Sequence, residues 1–127
     1  MAATRPISAV MITRNAGDTI AATLNSLAEF QEVVVYDNGS TDRTVEIARG
    51  FPNVVVHEGE FSGFGPTKNR AAGLASNDWI FSIDSDEIVA PDLLASIAGV
   101  DLDGIDVVYS VHRINFLRGK RIRYSGW

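Results

Sequence analysis

Cysteine is absent from this sequence, which excludes a disulfide scaffold, thiol catalysis and zinc sites built on cysteine. Long apolar runs are absent too: no stretch reaches the about eighteen apolar residues of a transmembrane helix. The opening Met1-Ala2-Ala3-Thr4-Arg5-Pro6 lacks the apolar core of a secretory signal. Histidine is scarce, and His57 and His112 each stand alone with no nucleophile constellation around them. No G-x-G-x-x-G opens the first predicted helix and no P-loop is present, which argues against a dinucleotide cofactor. An EF-hand is excluded because its D-x-D-x-D-G pattern with a distal Glu is missing. These absences lead us to expect a cytoplasmic protein with no nucleic-acid partner.

What remains is an ordinary globular composition, 46% apolar and 21% charged over 127 residues. That length suits one domain spanning 1–127, large enough for a core and too small for two. The net charge of −5 hides an asymmetry. Residues 1–106 carry 6 basic and 16 acidic side chains, whereas 107–127 carry Arg113, Arg118, Lys120, Arg121 and Arg123 with no acid. The basic end points to an anionic partner there, or to a solvated hairpin with cationic side chains on its outer face.

Along the chain, strand and helix patterns alternate. Ile7-Ser8-Ala9-Val10-Met11-Ile12-Thr13 reads as a buried strand. Ile20, Leu24 and Leu27 then recur at helical spacing through Phe30, with Asn15 or Asp18 as candidate caps. Glu32-Val33-Val34-Val35-Tyr36-Asp37 is a second strand, and Ser40 in the following turn can cap a helix through Val45, Ile47 and Ala48. Val54-Val55-Val56-His57 is a third strand. After a loop bearing Gly59, Gly63, Gly65 and Pro66, a helix is predicted from about Thr67 to Ala75. Trp79 to Ile83 is a fourth strand, Pro91 opens a short helix, Val107 to Ile114 is a fifth strand, and 116–122 reads as a hairpin. The alternation predicts an α/β fold with a mostly parallel sheet and helices on both faces.

Ligands on such sheets bind outside the carboxyl ends of the strands. That rule brings Thr13-Arg14-Asn15, Asp37-Asn38-Gly39 and Asp84-Ser85-Asp86 to one edge. Asp84 and Asp86 are one residue apart, so in an extended segment they share a side. With Glu87 adjacent they suit a hard divalent cation, Mg²⁺ or Mn²⁺, which keeps several waters and binds substrate phosphates directly. Taken alone, the cluster reads equally well as a solvated acidic loop. Asp37 can accept hydrogen bonds from a base or ribose, or merely cap the next helix. Lys68 and Arg70 open the predicted third helix, where they can bind phosphate with the helix N-terminus or pair with Asp37 or Asp84.

In this order and spacing, four pieces resemble the N-terminal part of an inverting family 2 glycosyltransferase of GT-A fold. They are Ile7 through Asn15, Val33 through Asp42, Lys68-Asn69-Arg70 with Ala75, and Asp78 through Glu87. The resemblance covers nearly the whole chain. It implies that Thr13 and Asn15 lie beside the nucleotide of a UDP-sugar and that Asp37 hydrogen-bonds the uracil. Lys68 and Arg70 would complete the nucleotide site, Asp84 would approach the ribose and the metal, and Asp86 would ligate Mn²⁺ or Mg²⁺ through the diphosphate. Lys68 stands where the family usually has Arg, and Ala71 where it often has Gly. The Asp84-Ser85-Asp86-Glu87 box, with Asn69-Arg70-Ala71-Ala72 before it and Arg113-Ile114-Asn115-Phe116 after it, is similar to bacterial lipopolysaccharide inner-core glucosyltransferases. That similarity implies glucose as the donor sugar and a saccharide or glycolipid acceptor. Attachment to the inner face of a membrane and homo-oligomerisation stay open.

Family members run further, and their general base usually lies beyond the second sheet segment. A direct displacement needs a base within hydrogen-bond reach of the attacking hydroxyl, and Glu87 is a poor substitute beside the presumed metal. The expectation is therefore a donor-binding part, a fragment or truncated product, with apolar surface that promotes self-association. A non-catalytic nucleotide-sugar binding module is the alternative. A nucleotidyltransferase is disfavoured, because its glycine-rich signature is missing after the first strand.

Overall fold

The structure is a computed structural model and describes residues 6–98. Eight elements alternate: β1 (Ile7–Thr13), α1 (Ile20–Ser26), β2 (Glu32–Asp37), α2 (Thr44–Ala48), β3 (Val54–Glu58), α3 (Phe64–Gly73), β4 (Trp79–Ser82) and α4 (Pro91–Ala98). The four strands form one sheet in the order β3-β2-β1-β4. All pairings are parallel, with Thr13 opposite Asp37, Asp37 opposite Glu58, and Val10 opposite Ser82. The predicted fifth strand, the 116–122 hairpin and the basic segment lie outside the described residues.

The central strands are buried almost throughout, which is why β1 and β2 read as near-continuous apolar runs. Alternate side chains go to opposite faces. Ala9, Met11, Val33 and Val35 pack with Ile20 and Leu24 of α1, Leu27 just after it, Ala48 of α2, and Ile97 of α4. Val10, Val34 and Tyr36 pack instead with Ala71 of α3. The chain thus steps from β1 through α1, β2 and α2 to β3 on one face. It then crosses the other face through α3 to place β4 on the far side of β1. The strand order reverses at β1, the place where sheets of this kind bind ligands at their carboxyl edge.

Several local expectations change. Helix α3 begins at Phe64, not near Thr67, because Gly63 at φ 95° turns the chain and seeds the helix early. Pro66 then falls in the first helical turn, where its missing N–H has no intrahelical partner to lose. Lys68 and Arg70 accordingly lie beyond that turn and do not share its free amides. Neither Asn15 nor Asp18 caps α1, whose cap position is Thr19 with no side-chain cap bond. Ser40 does not cap α2: that helix starts at Thr44, whose amide donates to Asp42 Oδ1 at 3.0 Å. β3 extends one residue further, to Glu58.

Candidate functional site

The register that sets Thr13 beside Asp37 builds the first part of the site. Asp37 is only 1% exposed, and an isolated buried carboxylate is costly. Four donors offset that cost. Thr13 Oγ1 and Ser40 Oγ donate to Oδ1 at 2.7 and 2.6 Å, and the Gly39 and Ser40 amides donate to Oδ2 at 3.1 and 2.8 Å. Gly39 adopts φ 89°, a conformation that favours glycine and lets both amides face the carboxylate. These bonds match the lone pairs a carboxylate offers, so a base could bond Asp37 only by displacing one of them. Asn38 follows, half-buried, with its amide bonded to Thr13 O at 2.9 Å.

Asn15 locks the first loop to the second. Its Oδ1 accepts the Thr41 amide at 2.7 Å and the Asp42 amide at 3.3 Å, while its own amide donates to Ser40 Oγ at 2.8 Å. Asn15 takes φ 53°, a left-handed conformation tolerated by asparagine. Gly17 donates to Asp42 Oδ2 at 2.9 Å, and a Cβ at Gly17 would come within 2.7 Å of that oxygen. Bonds from the Thr44 hydroxyl and amide hold the Asp42 carboxyl below its ordinary value, with the Gly17 amide adding to them.

The third part follows β4. The Ile83 amide still bonds Val10 O at 3.1 Å, after which the chain leaves the sheet. Asp84 and Asp86 are exposed, whereas Glu87 is 4% exposed and its Oε1 accepts the Asp84 amide at 3.0 Å. Glu87 therefore serves the turn and does not face outward as a base. Lys68 Nζ stands 4.0 Å from Asp84 Oδ1, so α3 contributes a cation to this edge. Arg70 is committed elsewhere, bonding the Tyr36 hydroxyl and Glu60 O at 3.2 Å and Ser62 Oγ at 3.3 Å. It ties the loop after β3 to β2.

Asp84 and Asp86 stand on a turn closed by the Glu87 amide bonding Asp84 O at 3.1 Å, not on the extended segment that would have set them on one side, and no group of three or more His, Cys, Asp or Glu able to hold a metal ion occurs among the described residues. Such a pair fits a small hard cation whose remaining positions are filled by water and phosphate. The sequence assigned no role to Thr19, Thr23 and Ser26, yet their hydroxyls reach the same turn. Thr19 and Thr23 donate to Ser85 O, and Ser26 Oγ accepts the Val89 amide. Their 4- and 3-residue spacing along α1 was the available signal.

The family model described as glycosyl transferase family 2 matches residues 8–126. An uncharacterized glycosyltransferase of Rickettsia conorii is 34% identical over 110 residues, covering 86% of this chain and 36% of that protein. The Bacillus subtilis glycosyltransferase SunS is 33% identical over 100 residues, covering 76% of this chain and 24% of its own length. The chain thus spans about a third or less of these relatives. Among solved structures, S. aureus TarS in complex with UDP-GlcNAc superposes at TM-score 0.63 with 33% identity, over 72% of this chain and 30% of that one. Glucosyl-3-phosphoglycerate synthase from Mycobacterium tuberculosis, in complex with Mn²⁺, UDP and glucosyl-3-phosphoglycerate, superposes at TM-score 0.56 with 28% identity, over 65% of this chain and 34% of that one.

Proposed function

Because this chain belongs to glycosyl transferase family 2 and has the GT-A fold, we propose that it binds a UDP-sugar across the carboxyl ends of β1, β2 and β4. The sugar passes with inversion to a saccharide or glycolipid hydroxyl. The observation that carries this reading is the pair of exposed carboxylates, Asp84 and Asp86, on an anchored turn at the point where the strand order reverses. The two structural relatives, both solved with uridine nucleotides, support UDP as the nucleotide.

Each residue has a part in this proposal. Thr13, Asn15 and Asp37 shape the nucleotide side, with Asp37 acting through the Asn38–Ser40 loop that its carboxylate holds. Asp84 and Asp86 would hold Mn²⁺ or Mg²⁺ together with the diphosphate. When bound, that cation neutralises the departing diphosphate as a Lewis acid. Lys68 faces the same anion from α3, and diphosphate charge would draw it from Asp84. Arg70 supports the adjoining loop and makes no direct donor contact. Glu87 sets the turn and is not the base. Glucose as donor sugar and lipopolysaccharide core as acceptor are our finer reading, resting on the acidic box and the Arg113-Ile114-Asn115-Phe116 segment.

Calorimetric titration of UDP with Mn²⁺ and then with EDTA tests the site. Binding should be tighter with the metal, and Asp86→Ala should erase the difference while leaving metal-free affinity in place. A difference that survives Asp86→Ala counts against the assignment. Release of UDP from UDP-glucose in the presence of a core saccharide separates an enzyme from a nucleotide-sugar binding module.

A further inference from the structure

We infer that the hydroxyl face of α1, formed by Thr19, Thr23 and Ser26, is a positioning device that sets the orientation of the Asp84–Asp86 turn for its cation. The inference rests on reading that turn as the cation and diphosphate end of the donor site. Four bonds carry it. Thr19 Oγ1 and Thr23 Oγ1 both donate to Ser85 O, at 3.0 and 2.9 Å. Ser26 Oγ donates to Thr23 O at 2.7 Å and accepts the Val89 amide at 3.0 Å. Thr19 Oγ1 also lies 3.4 Å from Ala16 O, so the Ser85 contact is the shorter of its two.

The placement of these bonds bears on function. Apolar burial already fixes both ends of the turn, since Ile83 and Val89 are 4% and 3% exposed in the core. Between those ends the hydroxyls act on a single carbonyl. Two donors fill both lone pairs of Ser85 O and fix the plane of the Ser85–Asp86 peptide. Its N–H points opposite its C=O, as in any trans peptide, and therefore away from α1. With the Asp84 amide held by Glu87, the backbone on each side of Ser85 is anchored while the Asp84 and Asp86 carboxylates stay exposed. Thr23 is wholly buried and hydrogen-bonded to this loop, so its hydroxyl is directed at the turn and not at solvent.

The experiment compares the wild-type chain with Thr19→Val, Thr23→Val and the double variant, titrating UDP in Mn²⁺ and in EDTA. Valine keeps the shape of threonine and removes only the donor. Each single variant should reduce the Mn²⁺ enhancement by roughly two- to threefold, and the double variant by about tenfold, because the second hydroxyl buffers loss of the first. Affinity in EDTA should change by less than about twofold. Thr23→Ser should retain the wild-type enhancement. Equal losses in Mn²⁺ and EDTA, or no loss in either, would overturn the inference. A wild-type chain that shows no Mn²⁺ enhancement would overturn the cation reading and this inference with it, before any variant is made. Should the double variant lose its cooperative melt, the single Thr19→Val variant carries the same test from an exposed position.

Discussion

Asp37 shows how one buried charge can organise a loop. Its four bonds come from two hydroxyls and two amides spread over the ends of β1 and β2. Asp37→Ala leaves those donors facing an empty space, and we expect it to lower unfolding stability by about 2–4 kcal/mol. UDP affinity should fall roughly tenfold with or without metal, since the loop and not the cation is disturbed. Urea unfolding and calorimetry check both parts; unchanged UDP affinity in a folded variant would refute the loop's role. At this scale the sequence was legible for residue type and less so for partner. Asp37, Asp84 and Asp86 stood out as acids at strand ends. That Thr13 completes the bonding of Asp37 from 24 positions away, and that Arg70 bonds a tyrosine 34 positions away, local sequence does not reveal.

Helix α1 works on three sides. Ile20, Leu24 and Leu27 face the sheet, the hydroxyl row faces the turn after β4, and Ala21, Ala22 and Asn25 face solvent. A seven-residue helix is marginal alone, so packing of its apolar side supplies most of its stability. Leu24→Ala should cost about 2–5 kcal/mol, measured by denaturant unfolding. It should also loosen the acidic turn, because the Thr23 hydroxyl rides on the same helix. A cost below about 1 kcal/mol would mean that α1 is not part of the cooperative unit. The apolar face of α1 was legible as a period in the sequence. Its caps were not, since Asn15 and Ser40 satisfy neighbouring loops in place of helix ends. Pro66 reads from the sequence as a loop residue before α3 and is instead part of its first turn. Local residue type permits either role, and the packing of the loop chooses.

Across the whole molecule, two acid-based clamps hold opposite edges of the sheet. Asp42 joins the first two loops at the carboxyl edge. Glu32 at the other edge accepts Ser8 Oγ and the Ser76 amide and hydroxyl at 2.6, 2.8 and 2.9 Å. Burial alone would raise the Glu32 carboxyl, but the Ser8 and Ser76 bonds outweigh it and bring the group below its ordinary 4.5. Asp42 likewise lies below 3.8. Groups depressed in the folded state add stability that is present above their unfolded values and lost as pH falls through the folded ones. Stability should therefore hold steady above these two values and decline below them. Glu32→Gln should flatten that decline, as read from urea midpoints at a series of pH values; parallel curves for the two proteins would argue against the clamp.

The sequence by itself determined the layer architecture, because apolar period and β-branched content dictate which segments must be buried as strands and helices. It also determined that polar residues sit at three strand ends, which alternation and the carboxyl-edge rule follow from directly. Only the tertiary structure decided the order β3-β2-β1-β4, which carries Asp84 to the far side of β1. It likewise decided which donors saturate Asp37 and which helix holds the turn bearing Asp84 and Asp86. The Thr13 bond to Asp37 and the α1 bonds to Ser85 O join residues 24 to 66 positions apart, and no local pattern encodes the partner of such a bond.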